Sequence, residues 1–184
     1  MKTTLATIIT AALLSTPALA NTFESQHRVG LGYASTDLYF SDTDSSLDWG
    51  NGIKFEYGYE FNRIVGINTS YSQNNETFFS GFKMEGSSFK LDTDIGYKFL
   101  LDGFSIKPYG AIGVIRYSEK YTISNGVDSA SESWNDTNLF IGTGVRAEIG
   151  QNFYTDIRFD FTYFNDGIDD VDYDQFSWTV GYKF

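Results

Sequence analysis

The chain has 184 residues, of which 18% are aromatic, 18 are glycine, 2 are proline and none is cysteine. Thirteen Lys and Arg residues against 24 Asp and Glu residues give a net charge of −11. The lack of cysteine excludes disulfides, zinc thiolates and thiol nucleophiles. The acidic balance disfavours nucleic-acid binding, because phosphates would be repelled. The length suits one domain, and the abundance of Tyr, Phe, Thr and Gly favours β structure.

The first twenty residues predict a secretory signal peptide. A lysine near the start precedes a mostly apolar stretch that ends before Pro17, and Ala18-Leu19-Ala20 has the small-x-small pattern of a cleavage site. The apolar stretch is too short to cross a bilayer comfortably. We therefore expect a signal peptide over residues 1–20 and a single mature domain over residues 21–184.

The mature sequence repeats a two-residue hydropathy period in eight segments. In residues 52–60, for example, the odd positions from Ile53 to Tyr59 are apolar, and the even positions are charged or glycine. Such alternation is typical of β-strands, whose successive side chains point to opposite faces. The predicted strands are residues 28–40, 52–60, 65–71, 89–99, 105–117, 139–149, 153–164 and 175–184. The phase of the fifth is ambiguous, and a β-bulge near Pro108 would account for it.

The connections between these strands alternate in length, which predicts an up-and-down meander with both termini at one end. Three short connections define what we call the tight-turn end, at residues 61–63, 100–103 and 150–152. Four long polar connections define the loop end, at residues 41–48, 73–86, 118–135 and 165–174.

The apolar face of these strands could point inward, as in a soluble barrel, or outward toward lipid. The interior of an eight-stranded barrel is only just wide enough for side chains, and the sixteen aromatic rings of the apolar face would overfill it. The opposite face is rich in glycine, which suits a crowded interior. Many aromatics lie near strand ends, as in interfacial girdles. We therefore expect an all-β fold, an eight-stranded antiparallel transmembrane β-barrel with its aromatic face in lipid.

Two motifs connect this architecture to a known group of proteins. The last strand ends with a late glycine, Gly181, followed by Tyr182-Lys183-Phe184, an aromatic-x-aromatic pattern with Phe last. Residues 107–111 read Lys-Pro-Tyr-Gly-Ala, similar to the proline-tyrosine-glycine opening of a strand in small outer-membrane barrels. Over the whole mature chain, the sequence resembles OmpA/OmpX-type barrels, a superfamily that includes the adhesion/invasion-locus proteins.

The resemblance implies export through the periplasm to the outer membrane of a Gram-negative cell. It also implies a monomer that contacts outer-membrane lipid and lipopolysaccharide, and that is inserted by the outer-membrane assembly machinery. From the acidic charge we expect no nucleic-acid partner, and the residue types predict no cofactor and no metal. The C-terminal residues that would form the assembly signal are Trp178, Gly181, Tyr182 and Phe184.

The charged residues on the glycine-rich face are expected to point into the barrel. Each must pair or meet water there, because an isolated buried charge is costly. Their mixed signs favour cross-strand ion pairs that plug and rigidify the barrel. A narrow ion path with rings of charge that set selectivity is the alternative. The candidate lumen network comprises Lys54, Glu56, Glu60, Lys90, Asp92, Asp94, Lys98, Arg146, Glu148, Asp156, Arg158 and Asp160.

Enzymatic chemistry finds little support in the sequence. The single histidine, His27, lies at the start of the first strand near the tight-turn end, and no GxSxG motif accompanies it. A hydrolase would need its base beside a serine at the rim or lipid face. Acidic residues in the first and fourth loops could hold calcium, but neither loop has the glycine and terminal glutamate of an EF-hand. We predict no catalytic, cofactor or metal-binding residues.

Aromatic residues in the second and third loops are the candidate contact residues for a partner. Exposed rings on a rigid scaffold suit a binding surface, although the strands could instead extend and pair beyond the membrane. The function predicted is a non-enzymatic structural or adhesion-type surface protein that contacts host molecules, cells or lipopolysaccharide. The alternative is a narrow pore. The candidate loop contacts are Phe78, Phe79, Phe82, Tyr121 and Trp134.

Overall fold

A computed structural model describes residues 26–40, 45–79, 82–124, 129–165 and 170–184. These residues form nine antiparallel strands in one sheet, and no helix among them is long and apolar enough to span a bilayer. The strands are β1 (Gln26–Phe40), β2 (Ser45–Glu60), β3 (Val65–Phe79), β4 (Phe82–Gly96), β5 (Phe99–Leu101), β6 (Phe104–Ser124), β7 (Ser129–Ile149), β8 (Phe153–Asn165) and β9 (Asp170–Lys183).

The sheet closes on itself as a barrel with eight strand positions. Each strand pairs with its neighbours in the chain except at β4 and β5, which do not pair with each other; β1 also pairs with β9, and β4 pairs with β6. The three-residue strand β5 continues β4, because both pair with β6 in one register. The predicted eight-stranded antiparallel barrel is therefore confirmed. Closure leaves no open sheet edge, which lipid would not tolerate.

A proline explains the interruption between β4 and β5. Gly96 pairs with Tyr109 and Phe99 pairs with Ile106, so Pro108 lies opposite the gap, and proline has no N–H to donate to a ladder. On its other edge, this segment is held by the Lys98 N–H, which donates to the Arg63 carbonyl at 2.9 Å. The bulge predicted near Pro108 is wrong, because the register along β6 is constant against both neighbouring strands.

The phase of β6 was ambiguous in the sequence because its inward face carries apolar side chains. Tyr109, Ile115 and Tyr117 are buried inside the barrel, whereas inward positions on the other strands are mainly glycine, polar or charged. Both faces of this strand therefore contain apolar residues, and alternation alone could not tell them apart.

Most of the second and third long connections prove to be strand. β3 runs to Phe79 and β4 begins at Phe82, while β6 and β7 pair up to Ser124 and Ser129. The prediction of long loops at 73–86 and 118–135 is therefore wrong, and the alternative of extended strands applies. Polar residues occupy both faces of these extensions, which removes the hydropathy alternation without removing the backbone hydrogen bonds.

An apolar belt surrounds the barrel on its outward face. It includes highly exposed side chains such as Leu139 at 71% and Phe153 at 65%. Toward the loop end, the outward residues become polar at one level around the barrel. The transitions are Tyr33 to Ser35 on β1, Tyr71 to Gln73 on β3, Leu139 to Thr137 on β7 and Phe176 to Asp174 on β9.

The belt makes a testable prediction about charge tolerance. Val145 lies near the middle of the belt on β7, and Ser133 lies outward on the same strand beyond it. In phospholipid vesicles, Val145→Arg should lower the free energy of unfolding by about 2–4 kcal/mol, because the charge would enter hydrocarbon. Denaturant unfolding followed by tryptophan fluorescence measures this loss.

Ser133→Arg is the matched control, and its effect should stay within about 0.5 kcal/mol. Equal losses in the two variants would show that the belt does not lie in lipid.

Candidate functional site

The inward side chains form a continuous network of ions inside the barrel. The structure brings together all twelve residues of the candidate lumen network, and each is at most 6% exposed. Three further cations, Arg28, Lys107 and Lys183, join them. Arg28 and Lys183 could have been found, since they share the face of their neighbouring glycines. Lys107 was missed because the phase of β6 was ambiguous.

Glu148 organises the tight-turn end of the lumen. Its two carboxylate oxygens contact different lysines, with Lys98 Nζ at 2.6 Å from Oε1 and Lys183 Nζ at 2.6 Å from Oε2. The Ser105 hydroxyl donates to Oε2 at 2.9 Å. Lys98 also contacts Glu60, which lies deeper in the barrel. Charges of alternating sign thus cross this mouth of the barrel, in the order Lys183, Glu148, Lys98 and Glu60.

The middle of the lumen is held by two carboxylates that share three cations. Lys107 Nζ lies 2.5 Å from Asp94 Oδ1 and 3.5 Å from Glu60 Oε1. Arg146 Nη1 lies 3.1 Å from Glu60 Oε1 and 3.5 Å from Asp94 Oδ2. Arg28 approaches both carboxylates at 3.6–3.8 Å. No charge in this layer depends on a single partner.

Arg146 connects this layer to the next one. Its Nε lies 2.8 Å from Asp156 Oδ2, and the Tyr109 hydroxyl donates to Asp156 Oδ1 at 2.7 Å. Lys54 and Glu56, two residues apart on the inward face of β2, form a second pair at 2.9 Å between Nζ and Oε2.

The layer nearest the loop end is built on Asp160. This carboxylate accepts from Lys90 Nζ at 2.7 Å and from Arg158 Nε at 2.6 Å, and Arg158 also contacts Asp92 at 3.1 Å. Both cations lie over the ring of Phe140, at 5.2 and 5.4 Å from its centroid. This geometry allows cation–π attraction in addition to ion pairing.

Glycines on the inward face make room for these long side chains. A side chain at Gly144 would begin 2.6 Å from the Tyr109 ring, and one at Gly58 would collide with the Arg28 guanidinium. The lumen is therefore filled by large groups from some strands that pack against bare backbone on others.

An apolar plug covers the ion network on its loop-end side. It consists of inward side chains that are each at most 9% exposed, and Trp49 packs against it. Tyr117 and Tyr173 pack edge to face with 5.0 Å between ring centroids. The ion network therefore lies beneath a hydrophobic layer. The plug residues are Leu38, Ile115, Tyr117, Phe140 and Tyr173.

On the loop-end side of the plug, the plug residue Tyr117 and three further aromatic residues surround a buried carboxylate, Glu119, which is 5% exposed. Trp49 Nε1 and the Tyr117 hydroxyl donate to Glu119 Oε1, and the Tyr121 hydroxyl donates to Oε2. Trp134 lies directly across β6 and β7 from Glu119. We call Trp49, Tyr117, Tyr121 and Trp134 the aromatic box.

The rings of the box contact each other in pairs. Trp49 and Tyr121 are 6.4 Å apart between centroids, and Tyr117 and Trp134 are 6.2 Å apart. Burial raises the pKa of Tyr121, and its hydrogen bond to Glu119 raises it further. The Tyr121 hydroxyl therefore remains a donor at neutral pH.

The candidate loop contacts and the proposed assembly signal lie in different parts of the barrel. Tyr121 and Trp134 belong to the aromatic box, whereas the side chains of Phe78, Phe79 and Phe82 lie outside the part of the chain that the structure describes. In the proposed assembly signal, Trp178, Tyr182 and Phe184 are exposed on the outward face, and Gly181 faces inward beside the ring of Tyr154.

The last residue of the chain is bound to the first strand. The Phe184 N–H donates to the His27 carbonyl at 2.9 Å, and the His27 N–H donates to the Phe184 carbonyl at 2.9 Å. Their rings stack 5.6 Å apart, and His27 Nδ1 lies 2.8 Å from the Tyr57 hydroxyl. The described residues contain no group of three or more histidines and carboxylates that could hold a metal ion.

The net negative charge of the protein lies outside the ion network. The network contains eight cations and seven carboxylates, which leaves five basic and seventeen acidic residues of the full chain elsewhere. Fifteen of these acidic residues, but only three basic ones, lie in the strand extensions and connecting sequence of the loop end (residues 35–51, 73–87, 116–137 and 163–174).

One side of the loop end concentrates this charge on the outward face of the sheet. Asp37 on β1 lies directly opposite Asp48 on β2 and Asp174 on β9. Burial, together with the negative charges of Asp172 and Asp37, raises the pKa of Asp174 above its ordinary value. Asp42, Asp44, Asp166 and Asp169, which belong to the acidic first and fourth loops of the sequence analysis, lie outside the described residues.

The network predicts that a central cation cannot be removed without a large loss of stability. Arg146→Met keeps much of the volume but takes a counter-charge from Glu60, Asp94 and Asp156. The free energy of unfolding in phospholipid vesicles should fall by about 3–5 kcal/mol, as when one partner of a buried pair is lost. Arg116→Met, at an exposed outward position on β6, should change it little. Similar stabilities for the two variants would contradict this account of the network.

Comparisons with known proteins agree with this architecture. A model of the outer membrane protein beta-barrel domain family matches residues 6–184. The attachment invasion locus protein of Yersinia pseudotuberculosis serotype I is 26% identical over 186 residues, covering 97% of each chain.

Solved structures show the same fold. The crystal structure of Ail, the attachment invasion locus protein of Yersinia pestis, has a TM-score of 0.64 at 22% identity over 88% of this chain and 100% of that one. Ail in complex with the heparin analogue sucrose octasulfate has a TM-score of 0.62 at 21% identity and the same coverage. The chain belongs to the outer membrane protein β-barrel domain family, and its location is the outer membrane of a Gram-negative cell.

Proposed function

We propose that this protein is a non-enzymatic surface protein whose loop end contacts proteins of host tissue or of other cells. The observation that carries the proposal is the pair of long strand extensions on β6 and β7, which continue far beyond the apolar belt. They present Trp134 at 44% and Ile123 at 59% exposure on a hydrogen-bonded scaffold. Similarity to proteins named for attachment and invasion supports the same reading.

This function requires removal of the signal peptide and a fixed orientation of the barrel in the membrane, and we propose both. Residues 1–20 are removed on export, the tight-turn end faces the periplasm and the loop end faces outward. The C-terminal strand is read by the assembly machinery. The pairing of Phe184 with His27 supports this role, because it makes the final residue part of barrel closure.

We further propose a contact with lipopolysaccharide at the outward face of β4 and β6. Lys83, Arg116 and Lys120 are exposed there, beyond the belt residues Phe89 and Val114. Cations at this height would meet the phosphates of lipopolysaccharide, while the belt contacts the acyl chains.

The surroundings of His27 favour a structural role over catalysis. Its ring contacts Tyr57, Tyr59 and Phe184 at ring-centroid distances of 4.7–6.1 Å. These contacts place it in the aromatic girdle at the tight-turn end, where an amphipathic ring is stabilised by an interface.

Adhesion of cells that display the protein tests the proposed function. In a non-adherent Gram-negative host strain, the wild type should bind one or more proteins from a panel of extracellular-matrix and serum proteins. Replacing residues 121–132 by an Asn-Gly turn joins the cross-strand neighbours Lys120 and Ser133. This shortened hairpin should reduce binding to background at equal surface display.

The control variant keeps the hairpin and changes only its outward face, by Ser131→Ala with Ser133→Ala. It should bind as the wild type does. Background binding by the wild type to the whole panel, or undiminished binding by the shortened variant, would overturn the proposal.

The filled lumen and its plug disfavour the alternative of a narrow pore. In planar bilayers the protein should give no resolved conductance steps, because Arg146 and Arg158 are ion-paired beneath the apolar plug. Reproducible steps whose ion selectivity changes in Arg158→Gln would instead establish a pore.

A further inference from the structure

Glu119 differs from every carboxylate of the ion network. Each of the seven network carboxylates has a lysine or arginine nitrogen within 4 Å. Every Lys and Arg after residue 25 belongs to the described part of the chain, and none of them forms an ion pair with Glu119 there. Its three donors, Trp49, Tyr117 and Tyr121, are all neutral.

This carboxylate retains capacity for a cation. An ionised carboxylate offers about four lone-pair sites, and the three hydrogen bonds leave Oε2 with one donor. Buried charges are normally compensated by an opposite charge. The rings around Glu119 are suitable for that role, since aromatic faces attract ammonium and guanidinium groups.

The site can be reached from the loop end. Tyr117, a plug residue at 2% exposure, forms its floor, whereas Trp134 is 44% exposed and Ile123 is 59% exposed. Trp134 faces the inside of the barrel, because its ring contacts that of the inward Tyr117. Within the part of the chain that the structure describes, the inner face of β6 and β7 above Glu119 is therefore exposed at Trp134 and Ile123.

The surrounding charge selects the same kind of ligand. Among the described residues of the loop end, ten acidic residues, Glu119 included, against three basic ones attract cations and repel anions over a distance of several ångströms. Sulfated glycans, such as the heparin analogue bound by Ail, would be disfavoured on this side of the protein. A basic protein surface would be steered toward it.

We propose that Glu119 and the aromatic box bind a lysine side chain of a protein partner. This inference rests on the proposed function and specifies the partner as a basic polypeptide. The ammonium group contacts Glu119 Oε2 beside Trp49 and Tyr121. The aliphatic stem packs along Trp134 and Ile123, as long basic side chains do on apolar surface.

Binding of a tetralysine peptide to the refolded barrel in phospholipid nanodiscs tests the inference. Affinity is measured by calorimetry at constant ionic strength. Glu119→Gln should weaken binding by about tenfold, a loss typical of a close charge pair that is shielded from water. Glu85→Gln is the matched control, because it removes the same charge from an exposed outward position on β4. It should weaken binding less than about twofold, as expected for a screened surface charge.

A second variant guards against a folding defect in Glu119→Gln. Trp134→Leu keeps the carboxylate and an apolar surface but removes the ring, and should weaken tetralysine binding by about threefold. Folding of each variant is verified by heat-modifiable gel mobility. Equal losses in Glu119→Gln and Glu85→Gln, or unchanged binding in Trp134→Leu, would overturn the inference.

Two further ligands test whether the cationic group belongs to a polypeptide. Choline should bind more weakly than tetralysine, and a heparin fragment should not compete. Choline binding tighter than tetralysine binding, or competition by heparin, would overturn a basic polypeptide as the partner.

The adhesion assay separates this inference from the proposed function. Full adhesion by cells that display Glu119→Gln would overturn the lysine site and leave the surface function intact. Glu119-dependent tetralysine binding by a protein that adheres to nothing in the panel would support the site and count against the adhesion function.

Discussion

Fifteen charged side chains can be buried in a bilayer-spanning barrel because each of them has an opposite charge within 4 Å. Closure satisfies the backbone, but it also creates a narrow interior that must be filled. Layers of shared partners, such as Glu60 and Asp94 with three cations, fill that space without leaving an uncompensated charge. The glycines of the inward face leave the room that these side chains occupy.

The ion network also separates a nearly neutral part of the barrel from a negatively charged one. Its charges nearly cancel, so the excess negative charge of the chain is carried by the strand extensions and connecting sequence of the loop end. The apolar plug separates the two regions. Glu119 lies above this boundary, which explains why none of the network cations is near enough to neutralise it. The ion network stabilises the barrel, and the loop end beyond the plug carries the surface that we propose for recognition.

The architecture could be predicted because lipid and a crowded lumen make opposite demands on alternate residues. Where those demands relax, prediction failed. Tyr109, Ile115 and Tyr117 are apolar yet point inward, so alternation could not assign the phase of β6. Beyond the belt, the outward face of β6 and β7 is polar and the inward face mixes polar with aromatic residues, so the sequence of these paired strands resembles that of loops. The contacts of Glu119 with Trp49, Tyr117 and Tyr121 join β2 to β6 and depend on how strands 70 residues apart in sequence meet, which no local pattern encodes.

The pairing of His27 with Phe184 has a consequence for biogenesis. The ladder between β1 and β9 joins the first and the last of the described strands, so the cylinder cannot close until β9 has been synthesised and delivered. Until then both terminal strands present unsatisfied edges, which promote aggregation, and the long loop that closure must form makes folding slow. Any delay between the synthesis of β1 and its pairing with β9 therefore prolongs the exposure of both edges.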